Sequence, residues 1–383
     1  MLLVFSDDWG RHPSSCQHLV RRLLPRHRVT WVNTIGMRPP TLSRATLERA
    51  WEKLRHWSPQ EAASSATPAN PTVLSPRMWP WFRRRHDRWL NRQLLVRGLN
   101  EHLAQAGEPV YAITTIPIVA DLLDQLHVDR WLYYCVDDFS TWPGLDQATM
   151  AVMERKLLQG CDRVVAVSDR LVQHVENHRR TAELLTHGVD LSFWQRPAST
   201  DIAQRLAHLP RPWIVFWGVV DQRMNAAWIK QLAGDLTAGT IVLVGPKDNP
   251  APELLATKRV AYLPPLAHEQ LPELGQLADV LIMPYADLPV TRAMQPLKLK
   301  EYLATGKPVV ASDLPAVREW SDCLDVATNA DDFSRLVRSR IEQGLPTEQH
   351  RARQRLDQES WDEKARQFEA MLLDVPAPLA EVA

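Results

Sequence analysis

The sequence has no excess of either charge: Lys and Arg together number 45, and so do Asp and Glu. That balance argues against a protein whose whole surface is built to neutralise nucleic acid. Cysteine is sparse. Cys16, Cys135, Cys161 and Cys323 are scattered, with no Cys-x-x-Cys and no paired His. This spacing speaks against a disulfide framework or a zinc site and fits a reducing, cytoplasmic compartment. Long apolar runs are missing as well, and none approaches the roughly 18–20 residues that cross a bilayer. The opening Met1-Leu2-Leu3-Val4-Phe5 reads as a first strand, since a signal peptide needs a basic start and a longer apolar stretch. No Gly-x-Gly-x-x-Gly follows a strand, which counts against a dinucleotide dehydrogenase. The absence of Gly-x-x-x-x-Gly-Lys counts against a P-loop enzyme, and that of Gly-x-Ser-x-Gly against a hydrolase elbow.

What is present is a chain of 383 residues, 45% of them hydrophobic, enough for two cores of ordinary size. Short apolar runs alternate with longer periodic segments, the pattern of parallel βαβ units buried on both faces. Strands are expected at 2–6, 29–33, 110–114, 131–136 and 163–168. A second set is expected at 213–218, 240–244, 260–263, 280–284, 309–312 and 323–327. Helices are expected at 15–24, 83–106 and 351–373. Residues 62–76, rich in Ala, Ser, Thr and Pro, read as a mobile insertion, and 190–212 as a linker.

The most informative stretch runs from Gln295 to Ser312. It reads as a short helix, a turn at Gly306 and a buried strand. Pro296 suits the first helical position, where a missing N–H costs nothing. Lys298 and Glu301 are three apart and share a helix face. Lys298 lies in the first turn, where free N–H groups and the helix dipole already favour an anion. A cation for a diphosphate and a carboxylate for a ribose, one turn apart, suit a nucleotide sugar.

This stretch resembles the donor-site signature of GT-B glycosyltransferases, especially glycosyltransferase family 4 and related bacterial polysaccharide transferases. The resemblance places Glu301 at the second Glu of a Glu-x7-Glu motif and Lys298 at its diphosphate-binding Lys. Ala293 stands where the first Glu, the usual sugar contact, would be. The implied fold is α/β, GT-B, with two Rossmann-like domains whose parallel sheets face a central cleft. Residues 1–192 would form the acceptor domain and 193–350 the nucleotide-sugar domain. A helix at 351–373 would cross back to the first domain, and 374–383 would be a disordered tail. Gly218 and Arg223, after the second domain's first strand, match a Gly and a basic residue that meet the diphosphate. Gly245 matches a Gly that approaches the nucleotide, residues 288–294 a loop over the donor sugar, and His187-Gly188-Val189-Asp190 a hinge signature.

In the first domain, Asp137 and Asp138 follow a strand end, where adjacent carboxylates are costly to bring together. The resemblance makes Asp138 the first candidate for a base that deprotonates the acceptor hydroxyl, with Asp137 second. The other reading of either is a cap on the following turn. The loop after the first strand offers Gly10 for a tight turn and Arg11 and His12 for phosphate or acceptor, while Ser14 or Ser15 can cap the next helix.

The activity implied is transfer of a sugar from a UDP- or GDP-sugar to a glycan or polyprenyl-linked acceptor, with no metal and no further cofactor. Family 4 implies retention; the missing first Glu leaves inversion with an Asp base open. A GT-B epimerase and an inactive sugar-binding scaffold are the alternatives. Residues 77–90, dense in Trp and Arg, suit either anionic headgroups at the inner face of the membrane or packing into the first domain. Nucleic acid is not expected as a partner.

Overall fold

The computed structural model describes residues 1–10, 13–37, 70–142, 144–197 and 200–373, and the chain divides into two compact units. Met1–Thr186 with the segment from Trp361 forms the first, and His187–Ser360 the second.

The first unit holds seven parallel strands: β1 (Leu2–Ser6), β2 (Val29–Asn33), β3 (Thr72–Leu74), β4 (Tyr111–Thr114), β5 (Arg130–Cys135), β6 (Arg163–Ala166) and β7 (Glu183–Leu184). Their order in the sheet is β3-β2-β1-β4-β5-β6-β7. The second unit holds β8 (Trp213–Trp217), β9 (Val220–Asp221), β10 (Thr240–Val244), β11 (Lys247–Asp248), β12 (Val260–Leu263), β13 (Val280–Met283), β14 (Val309–Ser312) and β15 (Asp325–Ala327). Six of these form a sheet in the order β12-β10-β8-β13-β14-β15, while β9 and β11 pair separately. Both orders run outward in two directions from the first strand of the unit, the Rossmann arrangement. Each therefore has a switch point, between β1 and β4 and between β8 and β13. Ligands bind such sheets beyond the carboxyl ends of the strands at that point.

The central strands are apolar throughout because both faces are covered. Leu2, Leu3, Val4 and Phe5 are fully buried in β1, as are Ile214, Val215 and Phe216 in β8. The helix Trp361–Leu373 buries Trp361, Lys364, Ala365, Phe368 and Leu372, a stripe at helical spacing. That stripe meets the first unit: Trp361 stacks on His18 at 4.6 Å and Phe368 lies against Tyr134 at 5.3 Å. Glu369 on the same helix accepts from Arg26.

Three sequence expectations are corrected. Residues 72–74, placed in a mobile insertion, form β3 at the sheet edge. Three residues flanked by Pro71 and Pro76 carry too little periodicity to show as a strand, and an edge strand tolerates flanking prolines. Residues 190–212 are no linker, because Trp194, Ile202 and Leu206 are buried in the second unit's core. The division falls at Thr186, and the chain returns at Trp361. Finally, 351–373 is not one helix: Arg353–Glu359 is a tight 3-10 segment that belongs to the second unit. The tail at 374–383 lies outside the described residues.

Candidate functional site

In the second unit, the helix Leu297–Ala304 carries Lys298 to the switch point. Pro296 is the residue before the helix and not its first member, with an extended ψ of 119°. Gly306 follows the helix with φ 74°, the left-handed turn that ends helices. The Lys298 amine donates to the Tyr285 hydroxyl at 2.7 Å, just beyond β13. It also lies 4.4 Å over the ring of Phe216, on β8. Gly218, after β8, has φ 135°, and a Cβ there would stand 2.1 Å from the Lys298 amine. The absent side chain is what lets the amine occupy this place.

Gly245, after β10, makes a tighter approach: a Cβ there would lie 2.0 Å from the Gly218 carbonyl oxygen. The ends of β8 and β10 thus meet backbone to backbone.

Glu301 lies one turn after Lys298, partly open to water yet deep in the unit. Burial pushes its carboxyl up to about 7, against the opposing effects of the Trp217 indole and the Lys298 amine. The indole N–H of Trp217 points at Glu301 Oε2 at 3.5 Å. Trp217 is itself clamped between Trp194, stacked at 5.5 Å, and Tyr302, edge-on at 4.2 Å. The Tyr302 hydroxyl accepts from the Trp217 backbone N–H at 2.9 Å.

Arg223 is buried, and its guanidinium chelates Asp221 at 2.7–3.0 Å. Its carbonyl accepts from Ala286 N at 2.7 Å, and Asn225 N donates to Pro284 O at 2.7 Å. These bonds zip the turn after β8 to the turn after β13. Arg223 thus braces the walls of the switch point, with its charge already matched by Asp221. Residues 288–294, expected as a loop, contain a short helix, Pro289–Ala293, with Pro289 in its first turn. Ala293 closes it and is buried. His187 and Asp190 serve structural ends: the His187 carbonyl accepts from Lys300, and Asp190 caps Leu191–Trp194.

In the first unit, the switch point is closed by Ser6 and Thr115, whose hydroxyls lie 2.7 Å apart. Asp7 follows. Its carboxylate accepts from Ser6 Oγ at 2.8 Å, Ser14 Oγ at 3.0 Å and Gln17 at 3.1 Å. Crowding by protein raises its pKa, and those three donors oppose the rise. Ser14, not Ser15, caps the helix Ser15–Leu23. Gly10 has φ 77°, and its N–H donates to Gln17 Oε1 at 3.0 Å. Arg11 and His12 lie outside the described residues. Sequence reasoning passed over Asp7, which the position at the end of β1 could have singled out.

Asp137 and Asp138 leave β5 half-buried. Asp138 Oδ1 accepts from Ser140 N at 3.1 Å and from the Ser140 hydroxyl, so it does cap its turn. Asp138 also belongs to a cluster that no sequence pattern announced. Asp138, Glu154 and His174 each offer one ligand atom, all within 4.8 Å of one another, a set able to hold a divalent cation. Glu154, buried on the helix Gln147–Gly160, accepts from Tyr133 Oη at 2.8 Å and lies 3.0 Å from His174 Nε2. The Glu154 hydrogen bond raises the His174 pKa; partial burial opposes it, and the Glu154 and Asp138 charges add to the rise. Only the fold brings these three side chains together. A groove of about 620 Å³ lies elsewhere in this unit, between Trp81-Phe82-Arg83 and the turn at Gly144, Leu145 and Asp146.

Comparison with known proteins gives the following. Residues 211–342 match the family model described as Glycosyl transferases group 1. A Bacillus subtilis (strain 168) protein, TuaH, named as a candidate teichuronic acid biosynthesis glycosyltransferase, is 31% identical over 173 residues. That match spans 43% of this chain and 43% of the length of that relative. Sucrose-phosphate synthase from Thermosynechococcus elongatus superposes with a TM-score of 0.72 at 15% identity, over 98% of each chain. Anabaena Alr3699/HepE, in complex with UDP and glucose, gives 0.71 at 15% identity, over 97% of this chain and 99% of that one. The fold is GT-B, with parallel sheets of seven and six strands.

Proposed function

We propose, from the group 1 glycosyl transferase match at 211–342 set in a GT-B fold, that the chain is a glycosyltransferase using a nucleotide-diphosphate sugar, UDP- or GDP-linked. The acceptor is a hydroxyl of a glycan or lipid-linked glycan, and the reaction needs no metal. The observation that carries this reading is the Lys298 amine at the switch point, over a glycine whose missing side chain makes room for it. An ammonium there, with the free N–H groups at the start of Leu297–Ala304, neutralises the diphosphate as it leaves. Glu301 accepts from ribose hydroxyls. Gly218 and Gly245 let the backbone approach the donor. Arg223 keeps the two turns in register. In the first unit, Asp138 takes the acceptor proton, with Asp137 as the second candidate and Gly10 in the loop that borders the acceptor. UDP complexes of the HepE neighbour support a uridine donor as the first to try.

The test is thermal stabilisation by UDP, GDP, ADP and dTDP and their sugars, in wild type, Lys298→Ala and Glu301→Ala. A shift from one nucleotide family, abolished by both substitutions, is expected. No shift with any nucleotide removes the donor site. Ala293, where a Glu would contact the transferred sugar, favours one second reading, an inactive sugar-binding scaffold. Nucleotide binding with no turnover of any donor, alone or with acceptors, would establish it.

A further inference from the structure

Six large hydrophobic side chains stand exposed among the described residues, and four of them, Trp79, Trp81, Trp89 and Leu94, fall in one short stretch. The same stretch is strongly basic in a chain that is neutral overall: residues 77–97 carry seven arginines and one acid, Asp87. Asp87 is buried, and two of the arginines meet carboxylates from elsewhere in the unit, Arg83 with Asp146 at 3.0 Å and Arg88 with Asp121 at 3.6 Å, which leaves the others to set the charge of the stretch. The Asp87 carboxylate accepts from Trp79 Nε1 at 3.0 Å and from Arg84 N at 3.0 Å.

The backbone at Trp79 and Trp81 is held by the helix that follows. Asn91, on the helix Arg85–Leu103, accepts from Trp79 N at 2.6 Å and donates to the carbonyls of Trp79 at 3.1 Å and Trp81 at 2.9 Å. The Trp79 and Trp81 rings lie 5.0 Å apart. The helix buries Asp87, Asn91, Leu95, Leu99 and Leu103 on one face. Trp89, 56% exposed, projects elsewhere, one turn from Arg85 and Arg92. Side chains already fixed by Asp87 and Asn91 lose little freedom on docking.

Indole rings prefer the level of lipid headgroups, guanidinium groups bind the phosphates there, and leucine reaches the acyl boundary. No helix among the described residues is long and apolar enough to cross a membrane, so contact would be peripheral. We propose that this exposed stretch, Trp79 to Arg97, docks the first unit on an anionic phospholipid surface. The inference is independent of the transferase reading and is tested without turnover.

The experiment is co-sedimentation of the full chain with vesicles of phosphatidylcholine, alone or mixed with phosphatidylglycerol. Binding to the mixed vesicles, weakened by salt, is expected. Arg83→Gln, Arg84→Gln and Arg85→Gln together should lower partitioning on the order of a hundredfold, from about fivefold per basic residue. Trp81→Ala with Trp89→Ala should lower it about tenfold or more, as apolar insertion is lost. Arg205→Gln with Arg335→Gln, at exposed arginines of the second unit, should bind like wild type. Melting curves confirm that all variants fold. The proposal falls if anionic vesicles are not bound, or if either set of patch substitutions leaves binding intact. It also falls if the control pair loses as much, or if RNA or DNA binds through these arginines and vesicles do not.

Discussion

Replacing Gly218 by Ala should separate stability from ligand binding. The new methyl group would stand 2.1 Å from the Lys298 amine, at a residue with φ 135°. The clash itself is cheap, because the amine ends a flexible side chain and can swing away. The backbone cost is not: a non-glycine residue in so sparsely populated a region costs about 1–3 kcal/mol. At about 2–4 °C per kcal/mol for a unit of this size, the melting temperature should fall roughly 2–12 °C. The displaced amine then no longer sits between Phe216 and Tyr285. A charge-assisted hydrogen bond is worth about 1.5–3 kcal/mol, so nucleoside diphosphate affinity should drop about 10- to 150-fold. Gly234, inside the helix Ala226–Asp235 with nothing within 4 Å, is the matched control. Gly234→Ala should leave binding unchanged and stabilise by about 0.5–1 kcal/mol. Thermal melts and titration calorimetry with UDP, GDP and ADP read both effects. If Gly218→Ala melts with wild type and binds as tightly, the account of how Lys298 is positioned is wrong.

Further outcomes follow from buried groups. Glu301, whose folded pKa of about 7 lies above the ordinary 4.5, should destabilise the fold progressively as pH rises from about 4.5 to about 7. Glu301→Gln should remove that slope. The difference should reach at most about 3 kcal/mol above pH 7, and less where the carboxylate is hydrated; parallel slopes in urea melts would contradict the assignment. Glu154→Gln should cost about 1–3 kcal/mol, since a buried acceptor shared by Tyr133 and His174 is altered. Because the His174 pKa is raised, its share is full below about 6.5 and fades as pH climbs through the folded value, so the loss should be larger at acid pH than at alkaline pH. Arg353 donates to the carbonyls of Cys323 at 2.9 Å, Lys307 at 2.8 Å and Leu303 at 3.3 Å. Arg353→Met strands the Cys323 and Lys307 carbonyls, while Leu303 keeps the Gly306 N–H, and should cost about 2–4 kcal/mol, measured by chemical denaturation; a neutral result would mean water replaces the guanidinium.

Much of the architecture was legible because parallel strands covered on both faces must be continuously apolar. Leu2–Ser6, Val29–Asn33, Thr240–Val244, Val260–Leu263 and Val309–Ser312 stand where their apolar runs predict. Such runs need no knowledge of neighbours. The turn at Gly306 was legible for a similar reason, since local backbone conformation decides it. Where burial depends on what lies opposite, local pattern fails. Residues 190–212 look polar and proline-rich, yet Trp194 and Leu206 anchor them in a core supplied by distant strands.

The composition and motifs by themselves determined two βαβ units and a lysine–glutamate pair on one helix face. They set Lys298, not Lys300, on the face of Glu301, but not what either amine would meet. Tertiary structure decided that. Lys300 turns inward, to the His187 carbonyl and Glu359, each at 2.6 Å, and is a buried strut. Lys298 turns to the strand ends, where Gly218 leaves it room. Likewise, Asp138 was visible as a carboxylate at a strand end, but its neighbours Glu154 and His174 come from two later helices. Periodicity fixes which face of an element is apolar; only packing fixes which charges share a site, because that depends on contacts between residues far apart in the chain.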